Sequence, residues 1–299
     1  MNVTVATAQY PITEHTSFAN WRTHITQWVE EAVNQKAQLL LFPEYGSMEL
    51  VSLFSPEVRD DIRWQVQELH VLRADFIGVF AELARQCGVI IVAPSLPVAE
   101  EGNIVNRAYV FSPKGLAGYQ DKFFMTRFED EVWGIRSAPK TLSVFEAEWG
   151  SFGIQICYDI EFALGSQLLS AAGASVILAP SCTETIRGAT RVHVGARARA
   201  LENQAYTIIS QTVGNALWSP AVDINYGFAA MYCTPDSNLP EEGILTAETP
   251  QMEGWLTHTL DMTKIEAVRT EGQVFNFKDS QRLMSGFLHE KVEVVKRQV

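Results

Sequence analysis

The sequence predicts an α/β layered fold in which mixed β-sheets pack against helices. Three observations carry this. Strand-like segments alternate with amphipathic helical ones along the chain. Some of the strands are joined by tight turns and others by helices, which argues against a purely parallel sheet. No internal repeat, low-complexity run or Pro/Gly/Ser-rich linker divides the chain, so one domain spanning residues 1–299 is expected.

Val3–Gln9 alternates and is rich in β-branched residues, as a strand should be. Phe18, Trp21, Ile25, Trp28, Val29, Ala32 and Val33 recur at helical spacing with polar neighbours between them, which predicts an amphipathic helix. Leu39–Phe42 is a short apolar run stopped by Pro43 and reads as a buried strand. Glu57–Gln86 is helical in pattern, with Ser55 and Pro56 suited to cap and first turn. Val89–Val92 is a second buried strand. Ala108–Phe111 and Gly118–Gln120 flank the turn Ser112-Pro113-Lys114-Gly115, a hairpin signal. Leu142–Phe145 and Phe152–Ile156 form a second hairpin about Gly150. Phe162–Ala172 reads as helix, Ser175–Ala179 as strand, Thr190–Asn203 as helix and Ala205–Ser210 as strand.

The formal net charge of −12 argues against nucleic acid or an anionic membrane as the main partner. No run of about 18 apolar residues spans a membrane, and no basic segment followed by an apolar run opens the chain. The four cysteines, at positions 87, 157, 182 and 233, form no CxxC pair and no zinc-like spacing with histidine. A reducing, cytoplasmic setting with at most one working thiol is the expectation, with neither metal nor disulfide framework.

Chemistry-bearing residues stand where strands end. Glu44, in Leu-Phe-Pro-Glu-Tyr, directly follows a buried strand, where sites in layered α/β folds lie. Cys157, in Gly153-Ile-Gln-Ile-Cys-Tyr-Asp-Ile-Glu-Phe162, sits at a strand-to-helix elbow, a geometry that lifts a nucleophile out of the core. Lys122 precedes Phe123, Phe124 and Met125, an apolar setting for a lysine. Glu129 and Glu131 come next, among aromatic residues. Taken singly, each has an ordinary reading: a solvated carboxylate, a buried structural thiol, a surface lysine.

Together, and in order, the three segments resemble the nitrilase superfamily of carbon–nitrogen hydrolases. Phe42-Pro43-Glu44 matches its glutamate block, Gln120-Asp121-Lys122 its lysine block and Ile156-Cys157-Tyr158-Asp159 its cysteine block. Ala8-Gln9 is similar to the family's opening strand, and Arg199–Gln204 to its late helix. The resemblance implies a four-layer αββα sandwich with two mixed β-sheets. It implies a catalytic set of Glu44, Lys122 and Cys157 with a second glutamate, which its distance from the cysteine assigns to Glu131. It also implies a homodimer or larger even oligomer, with residues 265–299 as a C-terminal tail at the interface. Where the family's commonest form has a His-Leu pair shortly after the lysine, Phe123 and Phe124 stand here.

The implied chemistry is attack by the Cys157 sulfur on a carbonyl, with Glu44 taking the proton and returning it to the leaving nitrogen. Lys122 and a backbone amide, that of Tyr158, hold the oxyanion. No cofactor is called for. A papain-like reading needs a histidine, and none of the six lies in a matching block; His193 is expected to be structural or exposed. Tyr158-Asp159 after the nucleophile resembles the amidase and carbamoylase branches, whereas nitrilases carry Trp-Glu there. The expected substrate is therefore a small linear amide or carbamoyl compound, with nitrile hydrolysis and a non-catalytic member of the fold as alternatives. An acyltransferase using the same thioester would call for a second acceptor site. Tyr158, Ser181, Cys182 and Thr183, which follow strand ends, are the expected substrate contacts.

Overall fold

The computed structural model describes residues 1–289 and 295–298. The chain opens with β1 (Asn2–Pro11), then α1 (Phe18–Asn34), capped by the Ser17 hydroxyl accepting the Asn20 amide. β2 (Leu39–Leu41) follows, and a 3₁₀ segment covers Gly46–Leu53. The helical stretch expected over 57–86 is broken into α2 (Pro56–Arg59), α3 (Ile62–Glu68) and α4 (Arg73–Cys87). The first break has a local cause: the Asp61 side chain accepts the Trp64 amide and starts a new helix; the second is a 3₁₀ turn, Leu69–Leu72.

β3 (Ile90–Val92), β4 (Leu96–Glu100), β5 (Asn103–Ser112) and β6 (Gly115–Asp121) come next, with the expected hairpin between β5 and β6. β7 (Val144–Ala147) and β8 (Gly150–Ile154) form the second hairpin. Then come α5 (Ala163–Ala171), β9 (Val176–Ser181), α6 (Ile186–Asn203) and β10 (Tyr206–Asn215). The chain continues through β11 (Ile224–Asn225), β12 (Ala230–Tyr232), β13 (Ile244–Ala247), β14 (Gly254–Asp261), α7 (Met262–Glu271) and α8 (Asn276–His289).

The strands make two mixed sheets. In the first, β5 pairs with β4, β6 and β3, then β3 with β2, β2 with β1, and β1 antiparallel with β14. In the second, β7, β8, β9, β10, β12 and β13 follow in order. The two join where Gln9–Pro11 of β1 runs parallel to Gln211–Val213 of β10. Side-chain bonds from Thr7 Oγ1 to the Ile209 carbonyl and from Ser210 Oγ to the Ala8 carbonyl, both 2.8 Å, reinforce this seam.

Alternation along each strand separates two cores. Val3, Val5, Leu39, Leu41 and Val92 face the second sheet, packing in one cluster with Ile154, Leu178 and Ile208. Ala6, Ala8, Tyr10, Leu40 and Phe42 face outward against Trp21, Ile25 and Val29 of α1 and Phe76 and Phe80 of α4. Val192, Ala196 and Ala200 of α6 and Leu169 of α5 cover the second sheet. The four layers are thus helix, sheet, sheet, helix.

Residues expected as a tail from 265 onward begin inside the domain. Ile265 and Val268 of α7 are buried, and Arg269 donates to the carbonyls of Ala174, Asn203 and Gln204. Residues 290–294 and 299, the far end of that expected tail, lie outside the described residues. Among the described residues, no helix is long and apolar enough to cross a membrane.

Candidate active site

Three strand ends deliver the key side chains to one place. Glu44 stands two residues beyond Phe42, whose amide still bonds to the Val92 carbonyl. The next residue, Tyr45, takes a left-handed conformation (φ 56°) that turns the chain sharply, and its amide is held by Ser95 Oγ at 3.0 Å. Lys122 follows β6, fixed by its amide bond to the Asn106 carbonyl at 2.9 Å. The Asp121 carboxylate beside it is gripped by Arg107 at 2.6 and 2.9 Å.

Cys157 opens a 3₁₀ turn, Cys157–Glu161, with φ 49°. A left-handed non-glycine residue there is strained and is held by its surroundings. The Asp159 carboxylate accepts the amides of Phe123 and Phe124, the latter at 2.8 Å, and so locks the cysteine turn to the lysine loop. From the other side α6 approaches closely: a Cβ on Gly195 would lie 2.8 Å from the Ile160 carbonyl oxygen. Arg199 Nη1 donates to that same oxygen at 3.1 Å.

The resulting network is buried and continuous. Glu44 Oε1 accepts from Lys122 Nζ at 2.7 Å and from Asn106 Nδ2 at 2.8 Å. Glu44 Oε2 accepts from the Cys182 amide at 3.0 Å, while the Cys157 thiol points to the Cys182 carbonyl, 3.6 Å away. One peptide residue thus ties the thiol and the carboxylate together. Lys122 Nζ also donates to both oxygens of Glu129, at 2.8 and 2.7 Å, and Tyr45 OH donates to Glu129 Oε1 at 2.6 Å.

Burial and neighbouring charges set the protonation states. Burial pushes Glu44 up to about 7; Lys122 pulls against this and the Glu129 charge adds to it. Burial also works on Glu129, but Lys122, Tyr45 and the Thr126 amide outweigh it and hold that carboxyl below its usual range. For Lys122 burial disfavours the charge, and the two carboxylates overcome it, so it stays an ammonium. Burial and the Glu44 charge push the Cys157 thiol well up, so the resting sulfur carries its proton. A thiolate prepared by a helix N-terminus, as strand-to-helix elbows can provide, is not what this site holds at rest.

The second glutamate differs from expectation. Glu131 points to solvent, with 56 % of its side chain exposed and an ion pair to Arg127 at 2.8 Å. Glu129, with 5 % exposed, occupies the place assigned to it. The cause is local: Thr126 and Glu129 form a reciprocal cap, with the Glu129 amide on Thr126 Oγ1 (3.3 Å) and the Thr126 amide on Glu129 Oε2 (2.8 Å). That turns the Glu129 side chain back toward Lys122. The single π-helical turn Glu129–Trp133 then carries Glu131 outward, and Arg63 of α3 fixes it by bonds to the Glu131 and Val132 carbonyls, both 3.0 Å. Thr126-x-x-Glu129 is the sequence signal that finds this glutamate.

A cavity of about 520 Å³ opens over the network. Tyr158, Cys182 and Thr183 line it, as do Glu44, Lys122, Glu129 and Cys157. Ser181 does not: it is fully buried at the end of β9, its hydroxyl bonded to the Ala179 carbonyl at 3.1 Å. Strand alternation turns 181 inward, and the wall begins only where the strand has ended. The sequence reading missed Asn106 and Tyr45, buried donors to the two carboxylates; neither belongs to a motif that marks it. His193 is structural, stacked on Phe228 and bonded to Tyr232 OH and Gln211 Oε1 at 2.7 and 3.0 Å.

The sequence profile of the carbon-nitrogen hydrolase family matches residues 4–270. The chain is 33 % identical over 283 residues to the probable hydrolase YhcX of Bacillus subtilis (strain 168), covering 94 % of this chain but 54 % of that protein, so it spans about half of that relative's length. It is 25 % identical over 269 residues to the omega-amidase NIT2 of Homo sapiens, covering 86 % and 89 % of the two chains. A crystal structure of a carbon-nitrogen hydrolase from Helicobacter pylori G27 shares the fold, with a TM-score of 0.77 at 17 % identity over 97 % of this chain and 99 % of that one.

Proposed function

The chain belongs to the carbon–nitrogen hydrolase family, within the nitrilase superfamily, and we propose that it hydrolyses a small linear amide or carbamoyl compound through a thioester on Cys157. One observation carries this reading: Glu44, Lys122 and Cys157 converge in one buried network, with Lys122 Nζ 2.7 Å from Glu44 Oε1 and Cys182 bonding the Glu44 carboxylate through its amide and the Cys157 thiol through its carbonyl, where burial raises Glu44 to about 7. A general acid–base works best when its pKa lies near the operating pH.

The reaction runs in two halves. As the Cys157 sulfur attacks the substrate carbonyl, Glu44 takes the thiol proton. The carbonyl oxygen becomes an oxyanion, stabilised by the Lys122 charge and the Tyr158 amide; such a donor is worth about 3 kcal/mol. All three Lys122 bonds go to carboxylate oxygens at rest. Protonation of Glu44 weakens one of them just as the oxyanion forms, releasing a donor for it. Glu44 then hands its proton to the departing nitrogen, and ammonia or an amine leaves. Water attacks the thioester as Glu44 takes its proton, and Glu44 then gives that proton to the departing sulfur, releasing the carboxylic acid and restoring the thiol. Glu129 takes no proton; it holds Lys122 in place and keeps Glu44 basic.

Similarity to omega-amidases supports amides over nitriles as substrates. Apolar cavity residues, including Trp133, Val192 and Val222, suit an aliphatic chain. The reading includes a homodimer or larger even oligomer, with α5 at the interface: Leu164 and Leu168 are exposed there. It also includes a reducing, cytoplasmic setting, supported by four cysteines without disulfides.

The test is an ammonia-release screen over short aliphatic amides, carbamoyl amines and nitriles, with a Cys157→Ala control. Turnover of an amide or carbamoyl compound that the control lacks is expected. Turnover of nitriles alone, or of nothing in the three classes, overturns the reading.

A further inference from the structure

We propose that His15, His24 and Glu49 form a binding site for a zinc-type divalent metal in the outer helical layer, behind the segment that carries Glu44. One donor atom from each lies within 4.8 Å of the others, and this is the one such cluster found among the described residues. The three come from separate pieces of chain: the loop between β1 and α1, α1 itself, and the 3₁₀ segment Gly46–Leu53. Their sequence spacing has no zinc signature, and only the fold assembles them.

The imidazole donors are unspent, while Glu49 Oε2 accepts only the Thr13 amide, at 3.3 Å. His15 Nε2 and His24 Nε2 are both buried and make no hydrogen bond. Buried polar atoms are nearly always paired, so two free imidazole nitrogens facing one carboxylate ask for a common partner. His15 Nε2 is 3.5 Å from Glu49 Oε2, which an ion pair alone would explain, but that leaves His24 Nε2 without a role. A cation between the three satisfies all of them.

The surroundings are those of a prepared ligand set. Tyr10 OH donates to Glu49 Oε1 at 2.6 Å, orienting the carboxylate with Oε2 toward the histidines. Ser52 Oγ accepts the His15 amide at 3.0 Å and donates to the Glu49 carbonyl, joining the loop to the 3₁₀ segment. Such outer contacts fix first-layer ligands in metal sites. Two imidazoles and one carboxylate suit Zn²⁺ or Co²⁺, with water in the fourth position, rather than the all-oxygen preference of Ca²⁺ or Mg²⁺. Tetrahedral bonds of about 2.0–2.1 Å place donors roughly 3.3 Å apart. The His15–Glu49 pair, at 3.5 Å, already meets this.

A metal here would tie the β1–α1 loop to the 3₁₀ segment that begins two residues after Glu44. The role is structural and independent of the thioester chemistry. The experiment uses untagged, chelator-stripped Cys157→Ala protein, which removes the reactive thiol as a competing ligand. Zn²⁺ is titrated by calorimetry and Co²⁺ by visible absorption. One equivalent binding at micromolar affinity or tighter is expected, with Co²⁺ d–d bands and no thiolate charge-transfer band. Saturating Zn²⁺ should raise Tm by about 3 °C or more. His24→Gln and Glu49→Gln should each weaken binding by about tenfold or more. Should Glu49→Gln fail to fold through loss of its Tyr10 contact, half-buried His24 and the Co²⁺ spectrum still decide. No binding up to millimolar metal, a thiolate band, or unchanged affinity in His24→Gln overturns the proposal.

Discussion

Glu129 grips Lys122 with both carboxylate oxygens, at 2.8 and 2.7 Å, while Glu131, two residues on, faces solvent. Glu129→Gln should lower kcat/KM by about a hundredfold, the scale of losing one charge-assisted contact of about 3 kcal/mol in a buried site. Glu131→Gln should leave kcat/KM within about twofold of the parent, since surface substitutions rarely exceed about 0.5 kcal/mol. Steady-state kinetics of the two variants side by side decide which glutamate belongs to the site.

The pH profile follows from Glu44. It acts as a base only when ionised, and burial holds its pKa at about 7. kcat/KM should therefore fall tenfold per unit on the acid side, with an apparent pKa near 7 that belongs to the coupled cluster. The Glu129 charge is one cause raising Glu44, so Glu129→Gln should move the acid limb to lower pH. A limb that stays in place in this variant would contradict the coupling.

Asp159 joins the cysteine turn to the lysine loop through the Phe123 and Phe124 amides. Asp159→Asn keeps the shape but offers one acceptor oxygen where two served. The Phe123 amide loses its 3.0 Å bond to Oδ2, keeps only the longer 3.2 Å one to Oδ1, and faces an N–H donor instead, at a cost of about 1–3 kcal/mol. A lower Tm and a drop in kcat of about ten- to a hundredfold are expected, read by thermal denaturation and kinetics. Unchanged kcat would show that the two loops hold their positions without it.

Much of this was legible in the sequence because strand ends and motif blocks coincide. Glu44, Lys122 and Cys157 each follow a strand, so the pattern that forms the sheet also delivers them to one edge. Glu131 was misassigned because spacing from the cysteine cannot separate two glutamates on a turn whose π geometry changes their facing. The Thr126-x-x-Glu129 cap could have done so. Ser181 was misassigned for a related reason: it is the last residue of β9, and one step of alternation decides between core and cavity. The long helix over 57–86 hid its first break because Asp61 acts as a cap within an otherwise helical pattern, and its second because the 3₁₀ turn Leu69–Leu72 keeps a near-helical spacing. β14, which pairs with β1 along Asn2–Gln9, carries no strong local signal; its place comes from long-range pairing.

The assembly is tested on α5. Leu164 and Leu168 are 59 % and 46 % exposed in the isolated chain. Charges there would be buried unpaired in a dimer interface, a costly arrangement. Light scattering should give a dimer or larger even oligomer for the parent and a monomer for Leu164→Glu/Leu168→Glu. A monomeric parent at micromolar concentration would contradict the proposal.

The thioester is the centre of this account, and mass spectrometry of the intact protein, acid-quenched during turnover of an accepted amide, tests it most directly. The expected result is a mass increase equal to the substrate's acyl group less the thiol hydrogen it replaces, mapped to Cys157 and absent from Cys157→Ala, together with ammonia release at background level in that variant. Acylation at Cys182, or Cys157→Ala retaining more than about a hundredth of the parent rate, would contradict it.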